Sequence, residues 1–311
     1  MTQEPSDKHP EKKNIISKIS ESISSIGKKL KPETNKEENK PQANEKMAEY
    51  KSGKIVYTVT GEGLPVVLLH GFLEDKNTWG SFAEKLAKDF KVINIDLPGH
   101  GKSDLMTETA TPKYMAKAAA EVLEAENIPK AFIIGHSMGG YAACAFADLF
   151  PEQLSALCLF HSVPYADSAD KKNARNETIQ KINESEKEAV CKAHAPKVYA
   201  DENQKKFSSE IEKAIETALS IKDNTIKATL RGMRDRDDYS LTVKEMSQPF
   251  LFIQGLNDNF IPPDVLKADH LPKNSEILNL EKSGHIGFVE EEQASLQAIR
   301  AFGQKIRTAA D

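Results

Sequence analysis

The sequence predicts an α/β fold, a mostly parallel central sheet flanked by helices, with a helical lid inserted late in the sheet. Three observations predict it. From Lys54 onward short β-rich runs alternate with longer helical stretches. Several of the β runs, PVVLLHG and AFIIG among them, are apolar at consecutive positions, as strands buried on both faces must be. The interval from Ser162 to Gln248 is far longer than an ordinary crossover between parallel strands and carries a charged helical pattern throughout, so it reads as an insertion.

Taken in order, residues 1–47 form a tail of Lys, Glu, Asn, Pro and Ser, aromatic-free as far as Glu45, with too little apolar surface to offset ordering entropy. Within it Ile16, Ile19, Ile23, Ile26 and Leu30 recur at helical spacing beside Lys18, Lys28 and Lys29, so residues 15–30 are able to form an amphipathic helix that docks on a membrane surface or partner, or forms only transiently. The domain proper spans residues 48–311. KIVYTVTG and PVVLLHG, separated by Gly61, Glu62 and Gly63, read as neighbouring strands. A helix with Trp79, Phe82, Leu86 and Phe90 follows, then the strand KVINID and a helix from about Tyr114 to Ala125. AFIIG runs into the small-residue helix SMGGYAACAFADLF, and LSALCLF, PFLFIQG and SEILNL supply the last three strands. Between Ser162 and Gln248, Ile179, Ile182, Val190, Ile211, Ile215 and Leu219 recur among Lys and Glu, which predicts several amphipathic helices forming a lid over about residues 163–247. No charged cluster in that lid points to a particular ligand.

Composition narrows the function. The chain has 311 residues, with 47 acidic against 42 basic and a formal charge of −5, so it lacks the electrostatic footprint of a nucleic-acid binder. Cys144, Cys158 and Cys191 form no CxxC pair and suggest neither a disulfide framework nor a zinc site. No apolar run approaches the roughly 20 residues of a membrane span, and the start MTQEPSDKHP is polar, which predicts a soluble, cytoplasmic protein without a transmembrane segment.

The residues that carry chemistry lie at strand ends. Gly135-His136-Ser137-Met138-Gly139 is a G-x-S-x-G match directly after an apolar strand and at the start of a helix. A hydroxyl is a weak nucleophile, so it needs an exposed perch, a base within reach and donors for the developing oxyanion. A sharp strand-to-helix turn supplies the perch, and the flanking glycines avoid collisions there. Alone, such a triplet arises in about one chain in ten of this length, and its bland counterpart is an ordinary glycine-lined turn. His70-Gly71-Phe72, leaving the strand PVVLLHG, is equally a tight turn or the loop that lends one oxyanion-hole amide; the expected donors are the backbone N–H groups of Phe72 and Met138. Asp258 in QGLNDNFIPP and His285 in SGHIGF follow later strands, where an acid and a base reach across the sheet edge. Elsewhere such an Asp is a turn former and such a His is solvated surface. Asp167, after LSALCLF, is the alternative acid.

Together LPVVLLHGF, DLPGHGKSD, GHSMGGYAA, GLNDNFIPP and SGHIGFVEE resemble the α/β-hydrolase superfamily in its serine-nucleophile, esterase-like branch, over about residue 52 to the C-terminus. The resemblance implies Ser137 as nucleophile, His285 as base and Asp258 as orienting acid, a structural role for His136 and for the loop holding Asp96 and His100, and no metal or organic cofactor. Serine at 137 argues against the dehalogenase and epoxide hydrolase branches, which use aspartate. The expected reaction is cleavage of a small or medium acyl ester, thioester or lactone through an acyl-enzyme. The same triad also serves carbon–carbon bond hydrolysis, perhydrolysis or a lyase step, and a ligand-binding or signalling protein of this fold would keep the triad with negligible turnover.

Overall fold

The computed structural model describes residues 44–263, 265–266, 270–273 and 275–308. The amphipathic helix expected at residues 15–30 lies outside them. The described residues form an eight-stranded sheet in the order β1-β2-β4-β3-β5-β6-β7-β8. The strands are β1 (Asn44–Tyr50), β2 (Gly53–Thr60), β3 (Pro65–Leu69), β4 (Lys91–Ile95), β5 (Ala131–His136), β6 (Leu154–Phe160), β7 (Phe250–Gly255) and β8 (Ser275–Leu280). β1 and β2 pair antiparallel, as do β2 and β4, and every later pairing is parallel.

Two expectations are corrected here. The first strand begins at Asn44, ahead of the expected domain boundary between residues 47 and 48. β1 is an edge strand that buries Ala48 and Tyr50 and leaves Lys46, Met47 and Glu49 in solvent, so its sequence carries the charge of an edge. β2 and β3 are not neighbours, because β4 lies between them. Gly61, at φ +79°, lies where a Cβ would run into the carbonyl oxygens of Ala87 and Phe90, so the short link hugs the turn that feeds β4. Lys91 N–H then donates to Leu64 O at 3.1 Å and seats β4 in the gap.

The consecutive apolar residues of β3 are explained by its two faces. Val67 and Leu69 join a core with α2 (Pro112–Ala125) and α3 (Met138–Leu149), while Val66 and Leu68 join a second core with α1 (Gly80–Leu86) and α10 (Glu292–Thr308). All four side chains are fully buried, each contributing roughly 1.5–3 kcal/mol. Cys144, Cys158 and Cys191 are free and buried within these cores, where burial pushes their thiols up.

Between β6 and β7 the chain forms α4 (Ala169–Asn183), α5 (Lys187–His194), a 3-10 turn (Ala195–Val198), α6 (Ser208–Ser220), α7 (Asp223–Arg234) and α8 (Ser240–Glu245). This insertion is tied to the body by backbone contacts. Ala110 N–H donates to Ala228 O at 3.0 Å, and a Cβ on Gly232 would overlap the backbone of Ala110. A short α9 (Gly287–Glu290) completes the fold after β8. No helix among the described residues is long and apolar enough to cross a membrane.

Candidate active site

The parallel strands end on one edge, and the loops after β3, β5, β6, β7 and β8 meet there. β5 turns sharply into α3 at Ser137, whose φ of 49° and ψ of −112° lie in a region a side chain rarely adopts. Close packing holds the turn. A Cβ at Gly135 would strike the backbone of Gly139 and Gly140, one at Gly139 the carbonyls of Leu69 and His70, and one at Gly140 the Ser162 hydroxyl. Ser137 N–H donates to Phe160 O at 3.0 Å, and Ser162 Oγ donates to Ser137 O at 2.7 Å. The turn is therefore clamped from β6 as well as from its own helix.

From this perch Ser137 Oγ donates to His285 Nε2 at 2.7 Å, and His285 Nδ1 donates to Asp258 Oδ2 at 2.7 Å. The structure thus brings together the three residues expected from sequence. Asp258 sits after β7, where its Oδ1 accepts the N–H groups of Phe260 (2.7 Å) and Ile261 (3.0 Å). Burial alone would raise its carboxyl, but the charge of His285 and hydrogen bonds from His161 and His285 outweigh that and hold it well below the usual carboxylate range. Asp167, the alternative acid, is engaged elsewhere: Arg236 Nη1 lies 2.5 Å from Oδ1 and Arg175 Nε 3.2 Å from Oδ2. Among the described residues no hydrogen bond joins it to His285.

Phe72 follows β3 and Met138 opens α3, and β3 and β5 are paired neighbours, so the two amides share the sheet edge beside Ser137. Met138 N–H lies in the first helical turn, where the helix offers no acceptor. Among the described residues, no acceptor takes the Phe72 amide either.

Three residues not expected from sequence complete the site. Glu74 Oε2 accepts Gly71 N–H at 2.7 Å and lies 3.1 Å from His136 Nδ1, while His136 Nε2 lies 2.8 Å from His285 O. Burial would raise Glu74, but the His136 charge and these hydrogen bonds bring it down to about 2; burial would lower His136, but Glu74 raises it. His136 is therefore a brace between the β3 loop and the His285 loop. Beneath Asp258, His161 Nδ1 lies 3.4 Å from Oδ2 and both ring nitrogens face backbone N–H groups, Gly255 at 3.1 Å and Gly287 at 3.0 Å. Burial lowers it to about 4. His194 of α5 packs edge-on to Phe72 with ring centroids 5.7 Å apart, and burial followed by the charge of His285 holds it below its usual range.

The loop of residues 96–104 is held by a network of its own hydrogen bonds. Asp96 accepts Lys76 N (2.8 Å), Lys76 Nζ (2.7 Å) and Lys102 N (3.0 Å), and His70 Nε2 accepts Leu97 N–H at 3.0 Å. His100 is buried and T-stacked on His70 with centroids 5.1 Å apart.

Ser137 and His285 open onto a cavity of about 350 Å³. Its lining is apolar at Val190, Val198, Leu230, Met233 and Ile261. Four of the lining side chains are cationic: Lys171, Arg175 and Lys181 from α4, and Lys197 from the 3-10 turn. This corrects the expectation that the insertion holds no directed charge. The spacing of 171, 175, 178 and 181 makes one helical stripe, but α4 is polar almost all round and its sequence does not say which stripe faces inward.

Known proteins resemble this chain in sequence and fold. A family model described as alpha/beta hydrolase fold matches residues 65–292. The chain is 28% identical over 264 residues to the dihydrolipoyllysine-residue acetyltransferase component of the acetoin cleaving system of Pseudomonas putida, covering 80% of this chain and 66% of that protein's length. It is 27% identical over 254 residues to a 2-hydroxy-6-oxononadienedioate/2-hydroxy-6-oxononatrienedioate hydrolase of Burkholderia vietnamiensis, covering 75% of this chain and 84% of that one. Among solved structures it resembles a thermophilic esterase from Thermogutta terrifontis, with a TM-score of 0.80, 28% identity, and 85% and 99% of the two chains covered.

Proposed function

The chain belongs to the alpha/beta hydrolase fold family, and from that premise we propose that it is a serine hydrolase cleaving a small or medium acyl ester through an acyl-enzyme. The observation that carries the reading is the continuous chain of hydrogen bonds from Ser137 Oγ through His285 to Asp258, opening on a partly apolar cavity. His285 takes the Ser137 proton as Oγ attacks the substrate carbonyl. The amides of Phe72 and Met138 receive the oxyanion, and the Asp258 carboxylate stabilises the imidazolium. His285 then protonates the leaving alcohol, and collapse leaves an acyl group on Ser137. Water activated by the same imidazole attacks that acyl group and releases the acid. The helices over the cavity act as a lid that excludes bulk water and sets acyl size. The likeness to the Thermogutta esterase supports ester cleavage.

Labelling with a fluorophosphonate probe, followed by a p-nitrophenyl ester series of increasing acyl length, tests the reading. Ser137→Ala is expected to abolish labelling and to lower kcat/KM by about 10⁴-fold or more. Labelling that survives the substitution would move the nucleophile elsewhere. A second reading, carbon–carbon bond hydrolysis on the same triad, is supported by the likeness to a hydrolase named for a dioate instead of an ester. Product analysis separates the two.

A further inference from the structure

We propose that the cavity selects acyl groups that carry a carboxylate at the end remote from the scissile carbonyl, and that Arg175 receives that carboxylate. The proposal rests on the serine-hydrolase reading and adds the substrate class to it.

Charge is the first argument. The chain as a whole is acidic, at −5, yet the residues lining the cavity include Lys171, Arg175, Lys181 and Lys197 with Glu74 as the carboxylate among them. Glu74 is already committed to His136 and Gly71 N–H. None of the three lysine ammonium groups has an acceptor among the described residues. Four cations around one concavity repel one another, and the concave wall focuses their field on whatever enters. An anion relieves that repulsion.

Geometry singles out Arg175. Its side chain is 23% exposed, so it is neither solvated like the lysines nor sealed in the core. Its Nε donates to Asp167 Oδ2, and Asp167 is itself held by Arg236, whose side chain is 2% exposed and lies 3.9 Å over the Tyr141 ring. One carboxylate between two guanidinium groups leaves a net positive charge. Anchoring through Nε fixes the fork while its two terminal nitrogens keep no protein partner among the described residues, and a planar carboxylate meets such a fork in two parallel hydrogen bonds. Leu230 and Met233 line the same cavity as this fork and Ser137, and their apolar side chains suit a run of methylene groups. An acid-terminated acyl chain therefore finds a nucleophile, apolar lining and a cation in one cavity.

The test compares mono-p-nitrophenyl adipate with p-nitrophenyl hexanoate, equal in length and differing in a terminal carboxylate against a methyl group, on the full chain. The wild type is expected to favour the adipate ester in kcat/KM by about 10-fold or more. In Arg175→Gln the ratio of the two kcat/KM values should fall by about 10- to 100-fold. Arg175→Lys should regain part of it, and added salt should lower it in the wild type. Lys181→Gln, a change at an exposed side chain, should lower the ratio by about 2- to 5-fold and guards against a folding defect at Arg175. A wild type that prefers the hexanoate ester, or a ratio unmoved by both Arg175→Gln and Lys181→Gln, overturns the proposal. Should neither ester turn over and the fluorophosphonate fail to label Ser137, the hydrolase reading falls by itself. Adipate binding by calorimetry then decides: binding that Arg175→Gln removes upholds the anion site, and absence of binding to the wild type overturns it.

Discussion

His136 presents both ring nitrogens to acceptors, a carboxylate oxygen of Glu74 on one side and the carbonyl of His285 on the other. A ring protonated on both nitrogens satisfies both, and the Glu74 charge beside it favours that form. Glu74→Gln removes its counter-charge. Unfolding in urea at neutral pH should show a loss of about 3 kcal/mol, with kcat falling by about 10-fold as the β3 loop loosens around the Phe72 amide. An unchanged kcat would reduce Glu74 to a packing role. At this scale the sequence was informative where chemistry imposes a local pattern. Ser137 is marked by its glycines, and Asp258 and His285 by their strand ends. Glu74 and His161 carry no such mark, because a glutamate in a turn and a histidine after a strand acquire meaning only from the loops that fold against them.

The elements were legible to the extent that burial writes a pattern. β3, β5 and β6 are buried on both faces and read as apolar runs, whereas β1 has one face in solvent and reads as polar chain. Partner choice was less legible. A short glycine link between β2 and β3 suits a hairpin, and only the tight approach of Gly61 to the turn at 87–90 shows that a third strand lies between. α7 offers a direct test of how the cavity wall is positioned. Gly232 allows its backbone to lie against Ala110, and Leu230 and Met233 of the same helix line the cavity. Gly232→Ala should lift the helix, costing about 2 kcal/mol or more in thermal unfolding. It should also raise KM for the longest ester accepted. Loss of stability with KM unchanged would mean the helix shifts without moving the wall.

For the molecule as a whole, buried histidines govern the response to acid. Burial lowers His161 to about 4 and His100 to about 3, while in the unfolded chain both titrate near ~6.5. Below that value the unfolded state binds protons the native state refuses, so stability is full above about pH 6.5 and is lost as pH falls toward 4, by roughly 3 kcal/mol or more for each ring. Glu74, brought down to about 2, continues the loss once pH drops below its unfolded value near ~4.5. His136 has the opposite sign: its folded value is raised, so its contribution is present at low pH and fades as pH rises through that value. Calorimetry should find the highest Tm near neutral pH and a steep fall from pH 6 to 4. A flat profile between pH 7 and 5 would contradict neutral rings at positions 100 and 161.

The backbone N–H of His285 donates to Val198 O at 2.7 Å, and Glu290 joins Ala200 N–H (2.8 Å) to Gly284 N–H (2.7 Å). Seen as heritable parts, the helical insertion and the base are not separate modules. β6 and β7 pair directly with each other, so the sheet would accept a foreign segment there. The imidazole would not. A transplanted cover has to arrive with a carbonyl at the place of Val198 and a backbone N–H for Glu290, and a chimera that omits them would keep its fold while its base drifts out of line.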